Sequence, residues 1–257
     1  MRSSELLAVA VEAVEAAGAL LLERFRAPAS GVERKSSSTD MVSDADRDAE
    51  SLIRSVIRAA RPDDEITGEE ADAEPGRSGL RWVIDPLDGT TNFLFGIPQW
   101  AVSVACEDSA GGLVGVVHSP CQEETFHAER GEGSFLAERR LAVSTKIDLA
   151  DALVATGFSY LPDERAAAAA VLQRVLPRVR DVRRAGAASL DIAWTAAGRV
   201  DGYYEVPTHR WDWAAGVVIA KEAGAVVSDL APLGPSGPGL VVAGPGLHDR
   251  LRTLVTG

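Results

Sequence analysis

The segment Trp82-Val83-Ile84-Asp85-Pro86-Leu87-Asp88-Gly89-Thr90-Thr91-Asn92-Phe93 constrains the fold more than any other. Its apolar, β-branched start reads as a buried strand that ends in Asp85. Pro86 then sets the turn, because its ring locks φ. Asp88 follows at the start of a helical turn. Two carboxylates at the mouth of a strand, with a backbone carbonyl between them, form a cradle for a hard divalent cation. The amides of Gly89, Thr90 and Thr91 would point outward from a helix N-terminus, where a phosphate binds well. A helix cap plus an Asx turn is the plainer reading of a bare D-x-x-D-G. The full string is far more specific than that.

Periodicity lays out the rest of the chain. Residues 4–26 carry Leu6, Val9, Ala10, Ala13, Ala17, Leu20 and Leu21 at helical spacing and read as an amphipathic helix. A polar, flexible stretch over 30–39 precedes a second helix, capped by Ser43 or Asp44, with Leu52, Ile53, Val56 and Ile57 inward and Pro62 at its end. Residues 81–85, 100–106, 113–118 and 125–129 read as strands between glycine-rich turns. Beyond them, strands at 153–156, 179–183, 202–206, 225–228 and 240–243 alternate with helices at 163–176, 189–197, 213–223 and 247–255. The pattern is α+β in the first half and α/β in the second. A soft boundary separates residues 1–145 from 146–257, and without a long linker the halves are expected to pack as one unit.

Charge narrows the function classes. A net charge of −12 lacks the basic face that nucleic acid requires, so no nucleic-acid partner is expected. It suits a protein that gathers cations, and an anionic substrate would then need metal ions to mediate. Glu5, Glu12, Glu15 and Glu23 interrupt the N-terminal apolar helix, which argues against a signal peptide. Gly96, Pro98 and Gln99 break the longest uncharged stretch, so no membrane span is expected. Cys106 and Cys121 have no metal spacing and read as buried core thiols of a reducing compartment. A cytoplasmic location is the expectation.

Three further acidic groups stand out. Gly68-Glu69-Glu70 follows the apolar Ile66 and alone reads as solvated surface. Trp211-Asp212-Trp213-Ala214-Ala215-Gly216 opens a helix, where Asp212 alone reads as an N-cap. Lys35 precedes Asp40-Met41-Val42-Ser43-Asp44-Ala45-Asp46, alone an acidic helix start. In this order, K-S-S … D-x-V-S-x-x-D, then G-E-E, then W-V-I-D-P-L-D-G-T-T-N-F, then W-D-x-A-A-G, the groups resemble the inositol monophosphatase family. The resemblance runs from Lys35 to about Gly224, and the central and W-D strings are that family's two signatures.

The resemblance implies a layered αβαβα sandwich, a homodimer, and magnesium-dependent, lithium-sensitive hydrolysis of a small polyol phosphate, inositol monophosphate first. It implies that Glu69, Asp85 and the carbonyl of Leu87 hold one Mg²⁺ and that Asp85, Asp88 and Asp212 hold a second. Glu69 would share a loosely held third. Thr90 would orient the attacking water with Glu69 and Asp46. Substrate would meet Asp88, the amides of Gly89 and Thr90, and, at its hydroxyls, Glu205 with Ala188 nearby. Lys35 would ride on a segment that closes over the metals. The residue types suit this chemistry. Two cations neutralise a phosphate monoester and lower the pKa of a bound water. Magnesium takes oxygen ligands and keeps waters, so few carboxylates suffice. No histidine cluster is needed, and His118, His127, His209 and His248 are scattered, His209 lying closest in sequence to Asp212.

Some positions depart from the family pattern. Ala187 stands where members often carry Ser or Thr. Ala137-Glu138 stands where members often carry Asn-Gly, so that turn is expected to be built differently from a tight hairpin with two positive φ angles. Arg210 either reads a second anionic group or, as favoured here, pairs with a surface acid. Thr91 with Glu205 leans towards a neutral polyol phosphate, while fructose 1,6-bisphosphate, histidinol phosphate and an adenosine bisphosphate are the substrates of relatives with the same metal site. A reading of another class is a binding module for transcription machinery in which the phosphatase site is secondary.

Overall fold

A computed structural model describes residues 3–25, 31–34 and 41–257. Lys35 and Asp40 lie outside the described residues. The elements run α1 (Ser3–Phe25), β1 (Glu33–Arg34), β2 (Met41–Val42), α2 (Asp44–Ala60), β3 (Glu65–Gly68), β4 (Arg81–Asp88), α3 (Thr90–Leu94), β5 (Ala101–Asp108), β6 (Gly111–Ser119), β7 (Glu124–Glu129), β8 (Gly133–Leu136) and β9 (Arg139–Arg140). They continue with β10 (Leu153–Thr156), α4 (Pro162–Val175), β11 (Asp181–Arg183), α5 (Ala188–Ala196), β12 (Gly202–Glu205), α6 (Arg210–Glu222), β13 (Val226–Leu230), β14 (Gly239–Ala243) and α7 (Pro245–Thr256).

These elements stack in five layers, the expected αβαβα sandwich. α1 and α2 cover one face of a seven-stranded sheet of order β3-β4-β5-β6-β7-β8-β9. α5 and α6 lie between its other face and a five-stranded sheet of order β11-β10-β12-β14-β13. α4 and α7 close the far side. The first sheet is antiparallel except for the parallel β3–β4 pair. In the second, β10 runs parallel to both β11 and β12, which is what intervening crossover helices permit.

Local sequence explains the joints. In α1 the buried side is Leu6, Ala10, Ala13, Val14, Ala17, Gly18 and Leu21, while Val9 and Leu20, expected inward, are half-buried. The reason is contact at Gly18, where an added Cβ would lie 2.5 Å from the His118 ring, so the helix rolls its small residues onto β6. α2 likewise leaves Leu52 and Val56 half-buried and turns Ala45, Ala49, Ile53 and Ile57 inward together with Asp46, Glu50 and Arg54. Ser43 is the N-cap, accepting from the Ala45 amide at 3.2 Å. In β4 the register with β5 slips between Asp85 and Asp88. Pro86 cannot donate there, so the ladder must bulge. The turn after Leu136 has one positive φ, +50° at Ala137, rather than two. The short strands β3, β8 and β9 carry no pattern long enough to read from sequence.

Candidate active site

Five separated segments converge on one pocket of about 400 Å³, bringing together Glu69, Asp85, Leu87, Asp88, Gly89, Thr90, Ala188, Glu205 and Asp212. Asp46 stands behind Thr90 rather than in the lining. Each is held by identifiable local structure. Asp85 ends the straight part of β4 and accepts the Leu87 amide at 3.1 Å. Gly89 takes φ +97°, and a Cβ there would press to 3.1 Å on the carbonyls of Gln99 and Gly186, so only glycine turns the chain from β4 into α3. The Thr90 hydroxyl lies 3.0 Å from Asp46 Oδ1 and 3.1 Å from the Leu87 carbonyl. Asp46 is buried and also accepts the Ser43 amide and hydroxyl at 2.8 and 2.6 Å.

Asp88 reaches across the fold. It accepts the Ala188 and Ser189 amides at 3.0 and 2.7 Å and the Ser189 hydroxyl at 2.6 Å. The carboxylate thus caps α5, a helix a hundred residues onward. Asp212 is not an N-cap, contrary to the sequence reading. α6 starts at Arg210, and Asp212 in its first turn accepts the His209 amide at 2.7 Å. Glu205 accepts the Tyr203 hydroxyl at 2.7 Å. Glu69 sits in the bend after β3, held from beneath by Glu50, which accepts the Glu70 and Ala71 amides at 2.8 and 3.2 Å.

The electrostatics are those of a site short of positive charge. Burial first, then the neighbouring Glu69, Asp88 and Asp212, push Asp85 well above the ordinary carboxylate range. Asp212 is raised by burial and by Glu69. Burial lifts Asp88 to about 6 despite its hydrogen bonds, and Glu205 to about 7. The donor set is all oxygen: four carboxylates and a main-chain carbonyl. Among the described residues no three acidic or imidazole groups are already drawn onto one point. Like charges spread apart, and a hard divalent cation is what such a set fits.

Sequence reasoning missed several residues of this pocket. Asp191, on α5, is buried with both carboxylate oxygens unbonded, and burial and then Glu205 raise it. Its signal was an acid inside the apolar run Ala188-Ser189-Leu190-Asp191-Ile192-Ala193. Arg184 also lines the pocket; so does His209, the histidine that the sequence sets apart for its nearness to Asp212, stacked on Trp211 at 4.9 Å. The other three histidines stand elsewhere. Asn92 ties α3 to the chain before α5 by donating to the Gln99 and Ala185 carbonyls. Arg210 pairs with an acid of its own chain, as favoured, but that acid, Glu107, is buried rather than at the surface, and the guanidinium also stacks 4.3 Å from the Trp213 ring centre. Cys106 is buried, and Cys121, read as core, is only half-buried.

Residues 2–254 match the inositol monophosphatase family. The chain belongs to that family. It is similar to an inositol-1-monophosphatase of Rhizobium meliloti, 43% identical over 95% of this chain and 93% of the relative. It is also similar to a Nus factor SuhB of Pasteurella multocida, 40% identical over 88% and 85%. The crystal structure of an extragenic suppressor protein suhB from Bartonella henselae superposes with a TM-score of 0.90 at 36% identity, covering 98% of each chain. The chain is a phosphatase of the inositol monophosphatase family, whose members generally use divalent metal ions.

Proposed function

We propose that this phosphatase hydrolyses the phosphate monoester of a small polyol, inositol monophosphate foremost, with Mg²⁺. The observation that supports this reading most is the gathering of Glu69, Asp85, Asp88 and Asp212 beside the first amides of α3 in one pocket. Glu69, Asp85 and the Leu87 carbonyl would hold one ion and Asp85, Asp88 and Asp212 a second, with Glu69 sharing a third. Bound there, the ions supply charge neutralisation and a water of lowered pKa. Thr90 and Asp46 form the proton path: the hydroxyl gives its proton towards Asp46 as it takes one from the attacking water, with Glu69 orienting that water. The amides of Gly89 and Thr90 hold phosphate oxygens, and Asp88 faces the ester. Glu205, steadied by Tyr203, takes the polyol hydroxyls beside Ala188.

Halves 1–145 and 146–257 would work as one unit, since Asp212, Glu205 and Ala188 come from the second and the other site residues from the first. Lithium sensitivity and a homodimer belong to the same reading. So does a cytoplasmic location, although the structural observation is narrower: among the described residues no helix is long and apolar enough to cross a membrane.

Phosphate release tests the reading on myo-inositol 1-phosphate, fructose 1,6-bisphosphate, histidinol phosphate and adenosine 3′,5′-bisphosphate, each with magnesium and with chelator. Magnesium-dependent preference for the inositol ester is expected. Preference for another ester would keep the site and overturn the substrate. Failure on all four would favour the second reading, motivated by the relatives named Nus factor SuhB: a binding module. A protein partner retained by Asp88→Asn would then be expected in pull-downs.

A further inference from the structure

Residues of β12 alternate between the two faces of the second sheet. Tyr203 and Glu205 join on the active-site side, while Tyr204 packs with the cluster under α4 and α7. There Tyr204 borders a second cavity of about 150 Å³, walled by Val171, Val206, Leu230 and Val255 and flanked by Arg174. Two buried polar atoms at this apolar space, the Tyr204 hydroxyl and Arg174 Nε, find no acceptor. The Tyr204 hydroxyl is buried without a hydrogen-bond partner. The Thr156 hydroxyl beside it is directed at the Gly157 carbonyl instead, 3.4 Å away. Burial raises Tyr204, so its hydroxyl remains a donor, and the neighbouring Thr156 hydroxyl and then the Arg174 charge oppose that rise. Arg174 donates to the Ala170 and Val255 carbonyls at 3.4 and 2.7 Å, and its buried Nε is left unbonded.

Buried donors without acceptors are costly, and native folds rarely keep them without reason. Two donors, one of them cationic, on an apolar cavity specify an anionic acceptor carried on an apolar body. An apolar cavity of this volume accepts a single aromatic ring. We propose that the cavity binds a small aromatic carboxylate, its carboxylate on Tyr204 and Arg174 and its ring among the valines and Leu230. The site is linked to the catalytic pocket. Thr156, Gly157 and Phe158 line both spaces. Gly157 abuts Glu205 so closely that a Cβ would fall 1.9 Å from Glu205 Oε2. An occupant therefore bears on the backing of Glu205, and that link alone rests on the function proposed above.

Benzoate is the probe, titrated calorimetrically into the full chain in chelator, so that no metal in the catalytic pocket can recruit it. Saturable binding is expected, with benzyl alcohol weaker by about tenfold or more, since a hydrogen bond to a charged group is lost. Tyr204→Phe, which removes one oxygen and keeps the shape, should weaken benzoate by a similar factor, as should Arg174→Gln. Asp88→Asn should leave it unchanged. Absence of saturable binding, or undiminished binding in Tyr204→Phe, overturns the site. Benzoate should also shift KM for the phosphate ester, and saturable binding without any kinetic change would overturn the link to Glu205.

Discussion

Thr90 illustrates how much rests on single atoms. Its hydroxyl is shared between Asp46 Oδ1 and the Leu87 carbonyl, at 3.0 and 3.1 Å, and one proton serves only one of them at a time. If that hydroxyl aligns the water, Thr90→Ala should lower kcat by about a hundredfold or more with little change in KM, and Thr90→Ser should restore most of it. Steady-state kinetics separates the cases, because a rise in KM at constant kcat would mean uniform binding instead. Asp85 makes a different prediction. It is buried among like charges, so Asp85→Asn should cost orders of magnitude in kcat/KM yet leave the metal-free thermal midpoint unchanged or higher. A lower midpoint in chelator would contradict the charge-repulsion account of the pocket.

Helices do the positioning, each in a way that sequence pattern reveals only in part. α2 is amphipathic in its apolar residues, yet it also buries Asp46, Glu50 and Arg54 at i, i+4 and i+8 on its inward side. Arg54 donates to Glu50 at 2.7 Å and to Glu74 at 2.9 Å, and Glu50 in turn holds the bend that carries Glu69. Glu50→Gln replaces an acceptor oxygen with a donor facing either Arg54 or the bend amides. It should destabilise the protein by about 3 kcal/mol, as broken buried pairs do. It should also weaken the apparent magnesium affinity measured by activity, whereas unchanged affinity would remove Glu50 from the support of Glu69. Sequence pattern starts α6 at 213, three residues late, because the bond that opens the helix is donated by the His209 amide forward to Asp212. The helix cap offered as the plain reading of Asp88 is real, but the helix is α5, and no local window contains both.

The five-layer arrangement concentrates buried acid at one place, and this should show in stability against pH. Glu205 is raised to about 7 by burial, above its unfolded value of about 4.3. The folded chain therefore binds the extra proton, and stability falls as pH rises through that window. Asp191 acts in the same sense. Asp64 and Asp201 act oppositely. Burial raises each but is outweighed, at Asp64 by hydrogen bonds from Arg61, Ser78 and Trp82 and at Asp201 by those from Ser144, Lys146 and Leu153. With folded values lowered, they stabilise above about pH 4 and lose that as pH falls further. Without metal the thermal midpoint should peak near pH 5 and decline towards pH 8, and magnesium should raise it most at the alkaline end. A metal-free midpoint that climbs steadily from pH 5 to 8 would overturn this balance.

Strand and helix alternation, the cap at Ser43, the Pro86 turn and the carboxylate pair Asp85 and Asp88 were legible because each is written in neighbouring residues, whereas Glu69 and Asp212 by themselves read as surface and N-cap. Periodicity, fixed φ and short-range hydrogen bonds act within a few positions of the chain. The family resemblance then supplied the layered fold and the candidate ligands together. Tertiary structure alone decided which face of α1 and α2 turns inward, that Asp88 caps α5, that Glu50 carries the bend of Glu69, and that Asp191 lies unbonded beside Glu205. It also placed Tyr204 and Arg174 on a cavity behind the active site. Those outcomes depend on close approach and on burial, as at Gly18 against His118 or Gly157 against Glu205. Distances between residues far apart in sequence have no signature until the layers are packed.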